Sequence, residues 1–321
     1  MVDSKVLNEI VLMRPICILC IIIGHAFAVY SGAWIAPDIR HIDIYKYVNP
    51  FFISFQLAAF VYISGYLFEF HYAKIKQSSI VEYVKKKAKR LLLPCYILGS
   101  IYIFLFERNT WNIISFLSGS GHLWFLPMLF WCYLWLFLYR KYWDGIGKNR
   151  IFNIIICIIL LFLYKLKIPF GISSSFYYFP FMYMGCLVYN YKKYLNQSSL
   201  KRLLLLLVVV YSLFLYYAVI KNNSVLILFI MRYFICISGT LALWVSCFLL
   251  RNHIGYIWIS LNKRSYGMYL IHQFILVMLY YYCSISELSI FLPFIYLIIT
   301  LLFSYFVTSL LLDTKIGKYI Y

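Results

Sequence analysis

Five ionisable side chains sit at positions that long apolar runs would not ordinarily tolerate: Arg14, His25, His122, Arg232 and His272. A charge or imidazole held in hydrocarbon is costly, so each marks a candidate functional position. Imidazole is the side chain best matched to take and return a proton at neutral pH, which makes His25 a candidate general base. Arg14 and His25 are 11 residues apart. At 100° per residue a helix brings them within about 20° of one face, separated by about 16–17 Å along its axis. One stripe therefore offers a guanidinium suited to an anion and, further along, a titratable base. The bland readings are a snorkelling arginine and a histidine tied into an interhelical polar network, and the shared face argues against them.

No GxSxG elbow or HExxH pattern accompanies these residues, so neither a serine triad nor a zinc hydrolase is expected. Cys17 and Cys20 form a CxxC, but no second pair or histidine follows at zinc spacing. Almost all of the nine cysteines lie in apolar runs, where a thiol packs as a small hydrophobe. No metal and no disulfide framework are expected.

The elements that must carry these groups follow from composition. Of 321 residues, 64% are hydrophobic, 21% aromatic and 12% charged, against roughly 25% charged in an average soluble domain. An ordinary soluble enzyme is excluded. The net charge of +19 would suit nucleic acid or a membrane surface, and the apolar content decides for the lipid bilayer and against nucleic acid. Ten runs approach the roughly 20 residues that span a bilayer: 10–30, 50–70, 91–107, 122–139, 150–165, 175–191, 203–220, 225–250, 265–283 and 288–312. Backbone in lipid must satisfy its own hydrogen bonds, so these long, non-alternating runs read as helices and not as a β-barrel.

The expected fold is an all-α integral membrane protein of about ten transmembrane helices. It forms one domain over 1–321, with no linker or loop long enough for a soluble module. The first run lacks the basic start and small-residue cleavage site of a signal peptide and is expected to persist. Alternate loops divide Lys and Arg unequally, 21 with the stretches around 74–90, 140–150, 192–202 and 251–264 and the termini, six on the other side. That bias places both termini in the cytoplasm.

Several segments resemble the acyltransferase-3 family of membrane-bound bacterial carbohydrate O-acyltransferases, its fucose O-acetylase-like members in particular. RPICILCIIIGHAF, with ten residues between Arg14 and His25, is similar to the family's opening. FQLAAFVYISGYLF at 55–68, EYVKKKAKRLLLP at 82–94, GHLWFLP at 121–127 and RSYGMYLIH at 264–272 are similar to later motifs, so the resemblance covers nearly the whole chain. There are two departures. Gln56-Leu57-Ala58 stands where many relatives have His-Met-Pro, and Lys87-Ala88-Lys89-Arg90 stands where they have an Arg-x-x-Arg pair, which keeps charge but loses one bidentate fork.

The resemblance implies ten membrane helices, no attached second domain, and a bacterial plasma (inner) membrane location. It implies acyl-CoA, acetyl-CoA being the simplest, as a co-substrate from the cytoplasm, with no resident cofactor. It also implies a carbohydrate hydroxyl as acceptor on the far side. Arg14, Lys87 and Arg90 would bind the donor, although a basic stretch at 85–90 also suits anionic lipid. Around the acceptor, His122, Trp124, Arg232 and Glu107 fall near the level of His25. Tyr269 and His272 would line that cavity or bond between helices. The resulting expectation is an O-acyltransferase for a cell-surface polysaccharide or its lipid-linked precursor, with His25 as general base. The rivals are a glycan transporter, which would use the central polar residues as a pathway, and a scaffold subunit, which would not need them.

Overall fold

A polypeptide surrounded by hydrocarbon can satisfy its backbone only by bonding it locally, and the computed structural model of the chain obeys that rule. It describes residues 7–34, 41–143, 150–220, 225–283 and 290–314, and all regular structure among them is helical. The α-helices are α1 (Asn8–Ala28), α2 (Asp43–Ile53), α3 (Gln56–Phe70), α4 (Tyr72–Ile75), α5 (Ile80–Tyr102), α6 (Ile113–Ser118), α7 (Phe125–Trp143), α8 (Arg150–Leu163), α9 (Ile172–Tyr191), α10 (Gln197–Ile220), α11 (Val225–Leu249), α12 (Tyr256–Tyr282) and α13 (Leu292–Leu312).

Helix occupies most of the described residues in each of the ten expected runs. Among the described residues, seven helical stretches are long and apolar enough to cross a membrane: Asn8–Ala28, Asp43–Phe70, Ile80–Glu107, Gly121–Trp143, Gln197–Val219, Ile227–Leu249 and Leu292–Leu312. The protein is a multi-pass membrane protein. Of the other three, α8 is apolar but short. α9 and α12 are long but diluted by polar residues, including Ser173, Ser175, Ser260, Ser265, His272 and Gln273, all of them buried. Large apolar side chains on α10, such as Leu205, Leu206 and Leu213, are instead exposed, the surface that lipid tails would cover.

Parts of several stretches expected as loops are helical, two of them rich in cations. Ser79 Oγ accepts from the Glu82 amide at 3.1 Å, an N-cap that starts α5 at Ile80 and draws the 85–90 cations into it. Lys263 and Arg264 likewise lie within α12. Lys5, Arg40, Lys148, Lys221, Lys315 and Lys318 of the charge asymmetry lie outside the described residues.

The chain divides into two compact units, 1–60 with 195–311, and 61–194 with 312–321. In the first, α1 packs against α12, α2 and α11, and α10 lies along α11. The break between α2 and α3 is stitched by side chains. The Tyr211 hydroxyl donates to the Phe51 carbonyl at 2.6 Å and Cys236 Sγ donates to the Ser54 carbonyl at 3.0 Å. Such partners are what a broken helix requires in lipid. In the second unit, α7 is flanked by α5 and α9, with α8 on α9. A Cβ added at Gly65 would strike the Met182 backbone, and one at Gly185 would strike the Tyr62 backbone. The α3–α9 crossing therefore needs a glycine on each side.

Candidate functional site

Within the first unit, α1 and α12 run in the same direction. Arg14 meets Asn262 near their starts, Nη1 donating to Oδ1 at 3.1 Å. His25 meets His272 further on. His25 Nδ1 lies 2.9 Å from His272 Nε2, with ring centroids 5.1 Å apart and planes 20° from parallel. His272 is fully buried, and its Nδ1 lies 2.7 Å from the Tyr269 carbonyl oxygen and 3.2 Å from that of Met268. The Trp34 ring covers another side of His25, at 4.7 Å.

Local structure fixes this pair. His25 occupies the last turn of α1, whose final carbonyls have no partner within the helix. The Tyr280 hydroxyl supplies one, donating to the His25 carbonyl at 2.7 Å and the Ala26 carbonyl at 2.9 Å. Tyr280 is two turns beyond His272 on α12, so the backbone of His25 is tied to the helix that carries its imidazole partner. A Cβ at Gly24 would collide with Ile53, so the glycine beside His25 lets α2 close on α1. Beyond the pair, Phe27, Tyr30, Tyr45, Leu276, Tyr280 and Tyr296 seal that end of the unit.

Among the described residues His25 Nε2 makes no hydrogen bond. The ring is thus held through Nδ1 alone among the described residues.

The other expected site residues divide between the units. Tyr269 is buried and acts on His272 through its carbonyl, with the rings 5.9 Å apart. Arg232 is exposed on α11, whereas its neighbours Met231, Ile235 and Cys236 are buried. It therefore points away from the packed interior of its unit, and among the described residues it makes no contact with the imidazole pair. The position was read from depth along the span, and depth says nothing about which face a residue occupies.

In the second unit, Lys87 is half-buried on α5, its Nζ 3.3 Å from the Tyr133 ring centroid and 5.6 Å from that of Tyr83, a cation–π seat. Arg90 is exposed one turn on. His122 is buried in the short Gly121–Trp124 helix, 6.5 Å from the Tyr102 ring. Trp124 is half-buried beside Tyr178, at 6.3 Å. Gly119 and Gly121 shape this turn with φ of +95° and +54°, which other residues rarely adopt. Glu107 closes the π-helical turn Ile103–Glu107 and is half-buried.

Sequence reasoning missed five residues. Asn262, the partner of Arg14, lay in a stretch read as loop. Tyr280 was one tyrosine among 33. Glu69 and Arg140 form a buried ion pair at 3.0 Å, to which Asn190 adds a hydrogen bond on the same Glu69 oxygen at 3.1 Å. An acid within an apolar run was the available signal for Glu69.

Apolar helices enclosing a pair of hydrogen-bonded imidazoles define a multi-pass membrane protein with a buried polar centre. A family profile for an acyltransferase domain, acyltransferase-3, matches residues 7–311, and the chain belongs to that family. No curated protein and no solved structure matches the chain.

Proposed function

We propose that the protein moves an acetyl or similar acyl group from acyl-CoA to a sugar hydroxyl of a cell-surface polysaccharide or its lipid-linked precursor, with His25 as general base. The observation that carries this reading is the His25 ring, tied through Nδ1 to His272 and unbonded at Nε2 among the described residues. The acceptor hydroxyl gives its proton to Nε2 while its oxygen attacks the thioester carbonyl. The C–S bond then breaks and the proton passes from His25 to the departing thiolate, leaving an ester and free CoA. Arg14 lies about 16–17 Å along α1 from His25, a separation suited to an elongated donor with phosphates at one end and a thioester at the other. On α5, Lys87 and Arg90 are cations of the kind that take phosphate. The excess of Lys and Arg in one set of loops supports ten spans with both termini in the cytoplasm of a bacterial plasma membrane, and the donor reaching the protein from that side.

The test is radiolabel transfer from acetyl-CoA into surface glycan, using membranes that hold matched amounts of wild-type and His25→Ala protein. His25→Ala is expected to lose at least about 100-fold in rate, the scale of general-base catalysis. Arg14→Ala is expected mainly to raise the donor concentration required. Wild-type labelling by His25→Ala overturns the assignment.

A further inference from the structure

Neutral histidine has one protonated ring nitrogen and one bare one, and which is which follows from the bond the other nitrogen makes. In the α1–α12 pair the assignment can be read from an end of the chain that has no freedom. The Tyr269 carbonyl can only accept, so His272 Nδ1, 2.7 Å from it, carries the proton. Neutral His272 then has a bare Nε2, and His25 Nδ1, 2.9 Å from it, must donate. With its proton committed at Nδ1, His25 presents a lone pair at Nε2.

We propose that His272, held by the Tyr269 carbonyl, is the positioning residue that fixes His25 in its base-competent tautomer; the catalytic part rests on the proposed role of His25. His272 does not touch the reacting atoms. It selects the nitrogen that carries the proton, and it offers a lone pair to the imidazolium formed when His25 takes the hydroxyl proton. The far end of the relay is a backbone carbonyl, which has no basic site to pass a proton onward. The proton therefore leaves His25 by the nitrogen through which it came, to the thiolate, and one acyl transfer closes with no net proton held by the protein. A neutral imidazole here plays the part that a carboxylate plays behind the histidine of serine hydrolases. That choice suits a low-dielectric interior, because no buried charge has to be kept between turnovers.

Two measurements on the full-length protein in lipid nanodiscs test the relay. The first is the ring-nitrogen spectrum of 15N-histidine protein, with His25 assigned by difference against His25→Ala. At neutral pH it should show His25 protonated at Nδ1 and bare at Nε2. The Nε2–H form in the wild type overturns the proposal without any variant having to fold. The second compares His272→Phe, which cannot accept a hydrogen bond, with His272→Gln, whose amide oxygen can. His272→Phe should lower kcat by roughly 10²–10⁴-fold, the range seen when an orienting partner is lost, with KM for acyl-CoA unchanged. His272→Gln should stay within about tenfold of the wild type. A folded His272→Phe with wild-type kcat overturns the relay and leaves His25 as base, whereas full activity in His25→Ala removes the base itself. The two failures are thus separate.

Discussion

Histidine chemistry depends on neighbours more than on the ring, and two histidines of this chain illustrate it. His25 has Nδ1 engaged by His272 and Nε2 unbonded among the described residues, so its two nitrogens sit in different surroundings. His71, outside the spans, is held below the ordinary histidine range by burial first and then by the positive charges of Lys74, Lys87 and Lys86. Positive neighbours disfavour a second charge on the imidazole, and a bound anion would relieve that part of the effect and not the burial part. If CoA phosphates bind the α5 lysines, adding CoA should raise the pKa of His71 toward 6.5. An NMR titration of His71 with and without CoA checks this, and an unmoved pKa speaks against phosphate at Lys86 and Lys87.

At the scale of elements, the second unit is pinned where α3, α7 and α9 end. Glu69 and Arg140 are both nearly enclosed, Asn190 supplies a further hydrogen bond, and the Tyr72 ring lies 3.8 Å from the Arg140 guanidinium carbon. Removing one member of such a pair leaves the other charge without its partner in a poorly solvated place, at a cost of about 3–5 kcal/mol. Arg140→Met should therefore lower the thermal midpoint in detergent markedly. Glu69→Leu with Arg140→Met should recover much of the loss, because two apolar side chains leave no charge behind. A single variant as stable as the wild type would show that the pair contributes nothing to the packing of these helices. Elements also explain the fate of the basic stretch. Its sequence read equally well as a charged loop, and the Ser79 cap decided that it begins a helix.

At the scale of the whole molecule, the testable quantity is orientation. Of the nine cysteines, Cys283 is exposed and the others are buried or partly so. It follows α12, in a connection that the proposed topology places outside the cell. A membrane-impermeant maleimide should label intact cells, and Cys283→Ser should abolish that labelling. In the Cys283→Ser background, Lys193→Cys should react only after the membrane is opened. Labelling of Cys283 solely in opened cells would invert the topology and, with it, the side from which the donor is proposed to arrive.

What the sequence determined by itself was whatever depends on local, one-dimensional physics. The bilayer's demand for about 20 apolar residues per span made the long apolar helices legible, and the 100° turn per residue placed Arg14 and His25 on one face of α1. Family membership was legible too, because its motifs are short and contiguous. The tertiary structure decided which of the two ring nitrogens of His25 is engaged, since that depends on a residue 247 positions away. It also turned Arg232 outward, joined Arg14 to Asn262 and enclosed Glu69 with Arg140. Each of these outcomes is set by which helix faces meet. That is a property of packing between distant segments, and no spacing along a single helix contains it.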